Sequence, residues 1–214
     1  MIRSTFLMGF AALALLLQPV AAADPFIRVT LQHGVSFSMP RNWVILTDNT
    51  RTTLDAYVAA KGMGTTSSDL DFAANLYDDQ RNVLGMVNVR HYPSQTVTQA
   101  QIRAMTTADF AEFETYMREE MTKAAHLSGF SILGWNRVAK TTINGAHALT
   151  YGYRRSAMPQ VVNMSPMRSD FVRVLNGARS FTLTVVYRED QAALMSPICA
   201  AIKSSLRVEE LAAR

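Results

Sequence analysis

Asp170–Arg188, DFVRVLNGARSFTLTVVYR, is the stretch whose reading decides the fold. Asn176-Gly177 lies near its centre, and Asn-Gly best tolerates the two positive φ angles of a two-residue type I′ hairpin turn. That turn would set Val174 opposite Arg179, Arg173 opposite Ser180, Val172 opposite Phe181 and Phe171 opposite Thr182. Side chains of a strand alternate between faces. One face therefore collects Val172, Val174, Phe181, Leu183, Val185 and Tyr187, and the other Phe171, Arg173, Ser180, Thr182 and Thr184. Such a hairpin needs further strands beside it and a covering layer on its apolar face.

The neighbouring sequence supplies both. Ile27, Val29 and Leu31 alternate with polar residues, and so do Val35, Phe37 and Met39 after His33-Gly34. Pro40 and Trp43 close that first hairpin. A second hairpin is expected from Phe72–Tyr77 and Val83–Tyr92 around the polar turn Asp78–Asn82. A third spans Phe130–Thr142 and Ala146–Ser156 about Asn144-Gly145, with Thr142 opposite His147, Lys140 opposite Leu149 and Val138 opposite Tyr151. Its alternation is poorer, which suits a sheet edge.

Three helical stretches separate the strands. Thr52–Lys61 has helical spacing and Gly62 as a stop. Thr98 and Gln101 have the spacing of a capping box. A second cap at Thr107 then opens a helix carrying the stripe Phe110, Phe113, Met117, Met121 and Ala124, with Gly129 as its end. Ser196-Pro197 reads as the start of a last helix. Strand pairs interrupted by helices give an α+β chain, an antiparallel β-sheet with helices packed on its faces.

Residues 1–23 read as a cleaved secretory signal peptide: Arg3, an apolar run over Phe6–Leu17, then Val20-Ala21-Ala22-Ala23 before Asp24-Pro25. Residues 24–214 then form a single globular domain, periplasmic or secreted, with no transmembrane anchor after cleavage. Without Arg3 the formal charge falls from +4 to +3. Such a balance, without a basic cluster interleaved with aromatics, argues against nucleic acid as a partner. Cys199 is the single cysteine, so no internal disulfide framework exists. A buried thiol and an intermolecular disulfide are its two readings.

Chemistry is sparsely signalled. His33, His91, His126 and His147 stand singly, outside any H-x-x-x-H or H-E-x-x-H pattern. Gly129–Leu133 lacks the second glycine of a nucleophile elbow, and Gly62–Asp71 lacks the Gly-Lys-Ser/Thr ending of a phosphate loop. Adjacent Asp78 and Asp79 read as solvated turn residues. No catalytic residue and no cofactor is expected. Trp43 is read as a core anchor, with ligand stacking as its other role. The loop 158–169, MPQVVNMSPMRS, could offer the sulfurs of Met158, Met164 and Met167 to Cu(I), or use them as adaptable packing.

The strand Val35–Met39 running into Pro40-Arg41-Asn42-Trp43, the strand turning at Asn144-Gly145 before Ala146–Tyr153, and the C-terminal hairpin feeding a helix that ends near Ser204-Ser205-Leu206 together resemble the PsbP-like family. The resemblance covers most of residues 24–214 as topology and carries over no site residue. It implies an α/β/α sandwich. It also implies a binding or accessory role, as for the family's extrinsic photosystem II proteins, bacterial exported proteins and lipoproteins, and a fungal Ran-binding import factor. The expectation is an exported, non-enzymatic binding or accessory protein of the cell envelope that contacts another envelope or secreted protein. The alternatives are a periplasmic copper-binding protein and an uncharacterised hydrolase.

Overall fold

The structure, a computed structural model, describes residues 25–60, 69–157 and 165–209. The signal segment 1–23, the Gly62 helix stop, Met158 and Met164 all lie outside the described residues.

Among the described residues the strands are β1 (Phe26–Thr30), β2 (Val35–Pro40), β3 (Val44–Ile45), β4 (Asp69–Tyr77), β5 (Val83–Tyr92), β6 (Ile132–Ile143), β7 (Ala146–Arg155), β8 (Met167–Val174), β9 (Ser180–Arg188) and β10 (Arg207–Val208). The helices are α1 (Asp48–Ala60), α2 (Gln99–Ala104), α3 (Thr107–Ser128) and α4 (Ala192–Ser204). Seven strands pair antiparallel in the order β3-β4-β5-β9-β8-β7-β6, and a small sheet has the order β1-β2-β10.

The central hairpin, β8 and β9, forms with the expected faces. Val172, Val174, Phe181, Leu183, Val185 and Tyr187 all enter one buried cluster with Phe37, Met39, Trp43, Phe72, Met195 and Ile202. That face is covered by α4 and the small sheet. The opposite face packs on α2 and α3 through Leu149, Leu175, Ile102, Phe110 and Phe113. The expected sheet between helical layers is what the chain forms.

The register differs from the type I′ reading. Val174 pairs with Phe181 and Val172 with Leu183, a shift of two residues that keeps every side chain on its expected face. Gly177 has positive φ (54°) but Asn176 does not, and the strands are joined by a wider tip. The cause is docking. Leu175 is buried against Ile102 under α2, and Gln99 Nε2 donates to the Leu175 carbonyl at 2.7 Å. The Gly177 N–H donates to the Val97 carbonyl at 2.8 Å. Asn144-Gly145, by contrast, does take positive φ at both residues (47° and 82°), and Thr142 faces His147 as expected. Further along β6 the ladder breaks between Asn136 and Ala139, so Arg137 and Val138 together oppose Tyr151 in a bulge.

Helix boundaries follow caps. Thr98 and Gln101 form the expected box, and Thr106, one residue before the expected Thr107, forms a second with Asp109. Gly129 ends α3 in the left-handed region. Two helices start earlier than the sequence signals suggested. α1 begins at Asp48, where the Thr47 carbonyl accepts from the Arg51 N–H. α4 begins at Ala192 and runs through Ser196 and Pro197, because a 3-10 turn over Glu189–Gln191 leads straight into it and Met195 is completely buried. Beyond α4, Arg207–Val208 adds β10 to β2.

Candidate functional site

On the face that α4 covers, the helix reaches only part of the sheet. Beyond it, β6, β7 and β8 leave an open cleft of about 620 Å³ between their side chains and the C-terminal end of α4. Period-two alternation puts Asn136, Thr141, Thr150, Asp170 and Val172 on this face, opposite Lys203 and Ser204 of the helix. Among the described residues, four cationic side chains, Arg137, Arg168, Lys203 and Arg207, line the cleft against the one carboxylate of Asp170. Lys203 Nζ contacts Asp170 Oδ2 at 2.5 Å, while Arg168 Nε stands 3.9 Å from Asp170 Oδ1. Arg207 donates to the Ser204 and Leu206 carbonyls, which fixes its guanidinium at the cleft end. Asp170 thus orients two cations and leaves the cleft with a cationic excess. Guanidinium, ammonium, hydroxyl and amide groups converge there, a lining suited to accepting carboxylate or phosphate oxygens.

The residues singled out from sequence fall elsewhere. Trp43 is 4% exposed within the core, and its Nε1 has no hydrogen-bond partner among the described residues. Its placement is that of a core anchor. Met167 is buried on β8, and its sulfur accepts from Arg155 Nη2 at 3.0 Å. Arg155 in turn lies over the Phe130 ring. Asp78 builds its own turn: hydrogen bonds from the Asn82 side chain, then from the Asn82 and Gln80 N–H groups, hold its carboxyl below the usual range.

Cys199 is 1% exposed on α4. Burial pushes its thiol up to about 12, Lys203 pulling it down and Asp170 adding to the rise. The thiolate is the reactive form. Native protein is therefore expected to leave a thiol reagent such as DTNB unconsumed and to run as a monomer on non-reducing gels, releasing one equivalent of thiol on denaturation. Rapid reaction of the folded protein would contradict this burial.

Two histidines that stand singly in sequence meet in space. His33 and His91 stack with ring centroids 3.8 Å apart, and Asp71 lies beside them. Their separations of 38 and 20 positions along the chain place them in no local motif. One signal was present: His33 belongs to the first hairpin turn and His91 to the end of the strand that pairs with Asp71's strand. His126 closes α3, and His147 Nε2 accepts from Arg103 Nε at 3.2 Å.

No protein-family model and no curated protein matches the sequence. Solved structures do match. The cyanobacterial PsbP protein CyanoP from Synechocystis sp. PCC 6803 superposes with a TM-score of 0.53 at 13% identity, over 88% of this chain and 95% of that one. The chain has a PsbP-like fold. Two further proteins superpose more loosely. LpqN of Mycobacterium tuberculosis, involved in cell envelope biogenesis, gives a TM-score of 0.44 at 12% identity over 87% of this chain and 86% of that one. The Saccharomyces cerevisiae Ran-binding protein Mog1p gives 0.41 at 9% identity over 86% of this chain and 95% of that one. The PsbP-like fold here places the basic cleft beside α4 and the histidine pair at the junction of the two sheets. None of the described helices is long and apolar enough to cross a membrane.

Proposed function

We propose that the protein is exported by its N-terminal segment and acts in the cell envelope as a non-enzymatic accessory protein, binding an acidic segment of another envelope or secreted protein in the cleft beside α4. The observation that carries this reading is the cationic excess of that cleft, in which Arg137, Arg168, Lys203 and Arg207 face one carboxylate. Complementary charge steers encounter and sets register between partners. The hydroxyl and amide groups of Thr141, Thr150 and Asn136 supply hydrogen bonds that fix orientation. The apolar arm of Val172 provides a dry floor.

The test is site-specific photocrosslinking in the source envelope with the probe at Thr141, on the cleft wall. One reproducible protein adduct is expected. The double reversal Arg137→Glu/Arg168→Glu, made at two exposed side chains, is expected to weaken capture about tenfold while the circular dichroism spectrum stays that of the parent. An adduct that survives the reversal undiminished, or no adduct at all, would remove the cleft as the binding surface.

A further inference from the structure

Three parts of the chain converge where the small sheet meets the large one. His33 lies in the turn between β1 and β2. Asp71 occupies the register shift between Leu70 and Phe72 of β4, where the extra residue is left unpaired and the bulge aims its side chain out of the ladder. His91 is the penultimate residue of β5, opposite Phe181 of β9. We propose that His33, Asp71 and His91 form a binding site for a divalent cation of the zinc class, and that the ion clamps the β1–β2 turn onto the large sheet.

The donor set has the right chemistry. Two imidazole nitrogens and one carboxylate oxygen are ligands zinc accepts, with a fourth position left to water. One donor atom from each residue lies within 4.8 Å of the others. His33 Nε2 and Asp71 Oδ2 are 3.6 Å apart. Ligands bound tetrahedrally at about 2.0–2.1 Å are about 3.4 Å from one another, so this pair already has the spacing.

His91 provides the second, independent observation. Its Nε2 lies 2.7 Å from the carbonyl oxygen of Ala178. Metal-bound histidines characteristically donate their other ring N–H to a backbone carbonyl, which fixes tautomer and ring plane. With the proton on Nε2, His91 presents the Nδ1 lone pair. The ring is 7% exposed, so its aim is held by packing.

The other two ligands complete the arrangement. The Asp71 side chain is 22% exposed beside the His33 ring, and a cation among the three groups offsets the cost of burying its charge. His33 has a 36% exposed side chain and already stands 3.6 Å from Asp71, so a tilt of its ring off the face of His91 brings its lone pair to the ion. This inference does not rest on the cleft.

The experiment is a calorimetric titration of the untagged protein with Zn²⁺, supported by Co²⁺ absorption, which reports coordination by nitrogen and oxygen donors. One ion per chain is expected. His33→Ala and Asp71→Asn are each expected to weaken binding at least about tenfold. His126→Ala, on α3, and the cleft reversal Arg137→Glu/Arg168→Glu are expected to leave it unchanged. Both ligand substitutions fall on side chains that are partly exposed, so folding is retained and circular dichroism confirms it. Zinc should also raise the thermal midpoint of the parent and not of His33→Ala, since an ion that binds only the folded state stabilises it. Absence of zinc uptake by the parent, or uptake unchanged in both His33→Ala and Asp71→Asn, would overturn the assignment.

Discussion

Phe37→Ala is expected to destabilise the protein by about 3–5 kcal/mol, the range for removing a large aromatic side chain from a packed core. Phe37 is completely buried on β2. Its ring meets Phe72 of β4 edge to face, with centroids 5.4 Å apart and planes at 79°. The two rings join the small sheet to the large one, and Val35 and Met39 flank them on the same buried face. Truncation removes both the transfer term and the aromatic pair, and leaves a cavity that two docked sheets cannot readily close. Denaturant unfolding reads the effect as a lower midpoint at unchanged slope. The control is Ile45→Ala, on a residue 47% exposed, where the change should be within about 0.5 kcal/mol. A loss at Phe37 below about 1 kcal/mol would mean that the small sheet contributes little to the core.

Gly152→Ala is the second large effect, for a reason that composition does not show. The glycine lies in the middle of β7, and a Cβ added there would be 2.6 Å from the Ser169 carbonyl oxygen, 2.9 Å from Asp170 Oδ1 and 3.0 Å from Asn136 Nδ2. Its φ lies outside the left-handed region, so close approach, rather than turn geometry, requires glycine here. The nearest atom belongs to the backbone of β8, which cannot rotate away. The strand pair must separate, at a cost of about 1–3 kcal/mol. Adding Asp170→Ala removes the second contact but not the first, so the double variant should recover little of the loss. Gly134→Ala, with no atom within 4 Å of the added carbon, is the matched control and should be nearly neutral. Because Asn136 and Asp170 line the cleft, Gly152→Ala should also weaken the photocrosslink at Thr141.

The fold was largely legible because period-two alternation survives errors in turn type. The Asn176-Gly177 tip opens to dock Leu175 on α2, and the pairing slides by two residues. Two is the period of the strand, so Val172 and Leu183 stay on the core face. Asn144-Gly145, at the exposed end of an edge hairpin, has no such pull and keeps the tight turn its sequence favours. Pro197 misled for a related reason. Proline at a first helical turn is a local preference, whereas complete burial of Met195 two residues earlier is a tertiary demand that extends the helix backwards. The basic cleft was not legible at all. Its cations come from β6, β8, α4 and β10, and they share a surface only after the sheet order is known. The same holds for His33 and His91, which local spacing separates and which meet only once the small sheet docks on the large one.

The two margins of the seven-stranded sheet bear on how the protein can assemble. One margin is β3, two residues long, with Val44 and Ile45 both exposed. The other is β6, where the bulge at Arg137 and Val138 interrupts the repeat of N–H and C=O groups that an incoming chain would need to copy. An edge so short and an edge so broken are poor templates for strand addition. Association by continued pairing would give open-ended fibres, whereas contact through a face ends with the partner it fits. Recruitment at a high local concentration should therefore give stoichiometric complexes that stop growing, visible in light scattering as a plateau in mass.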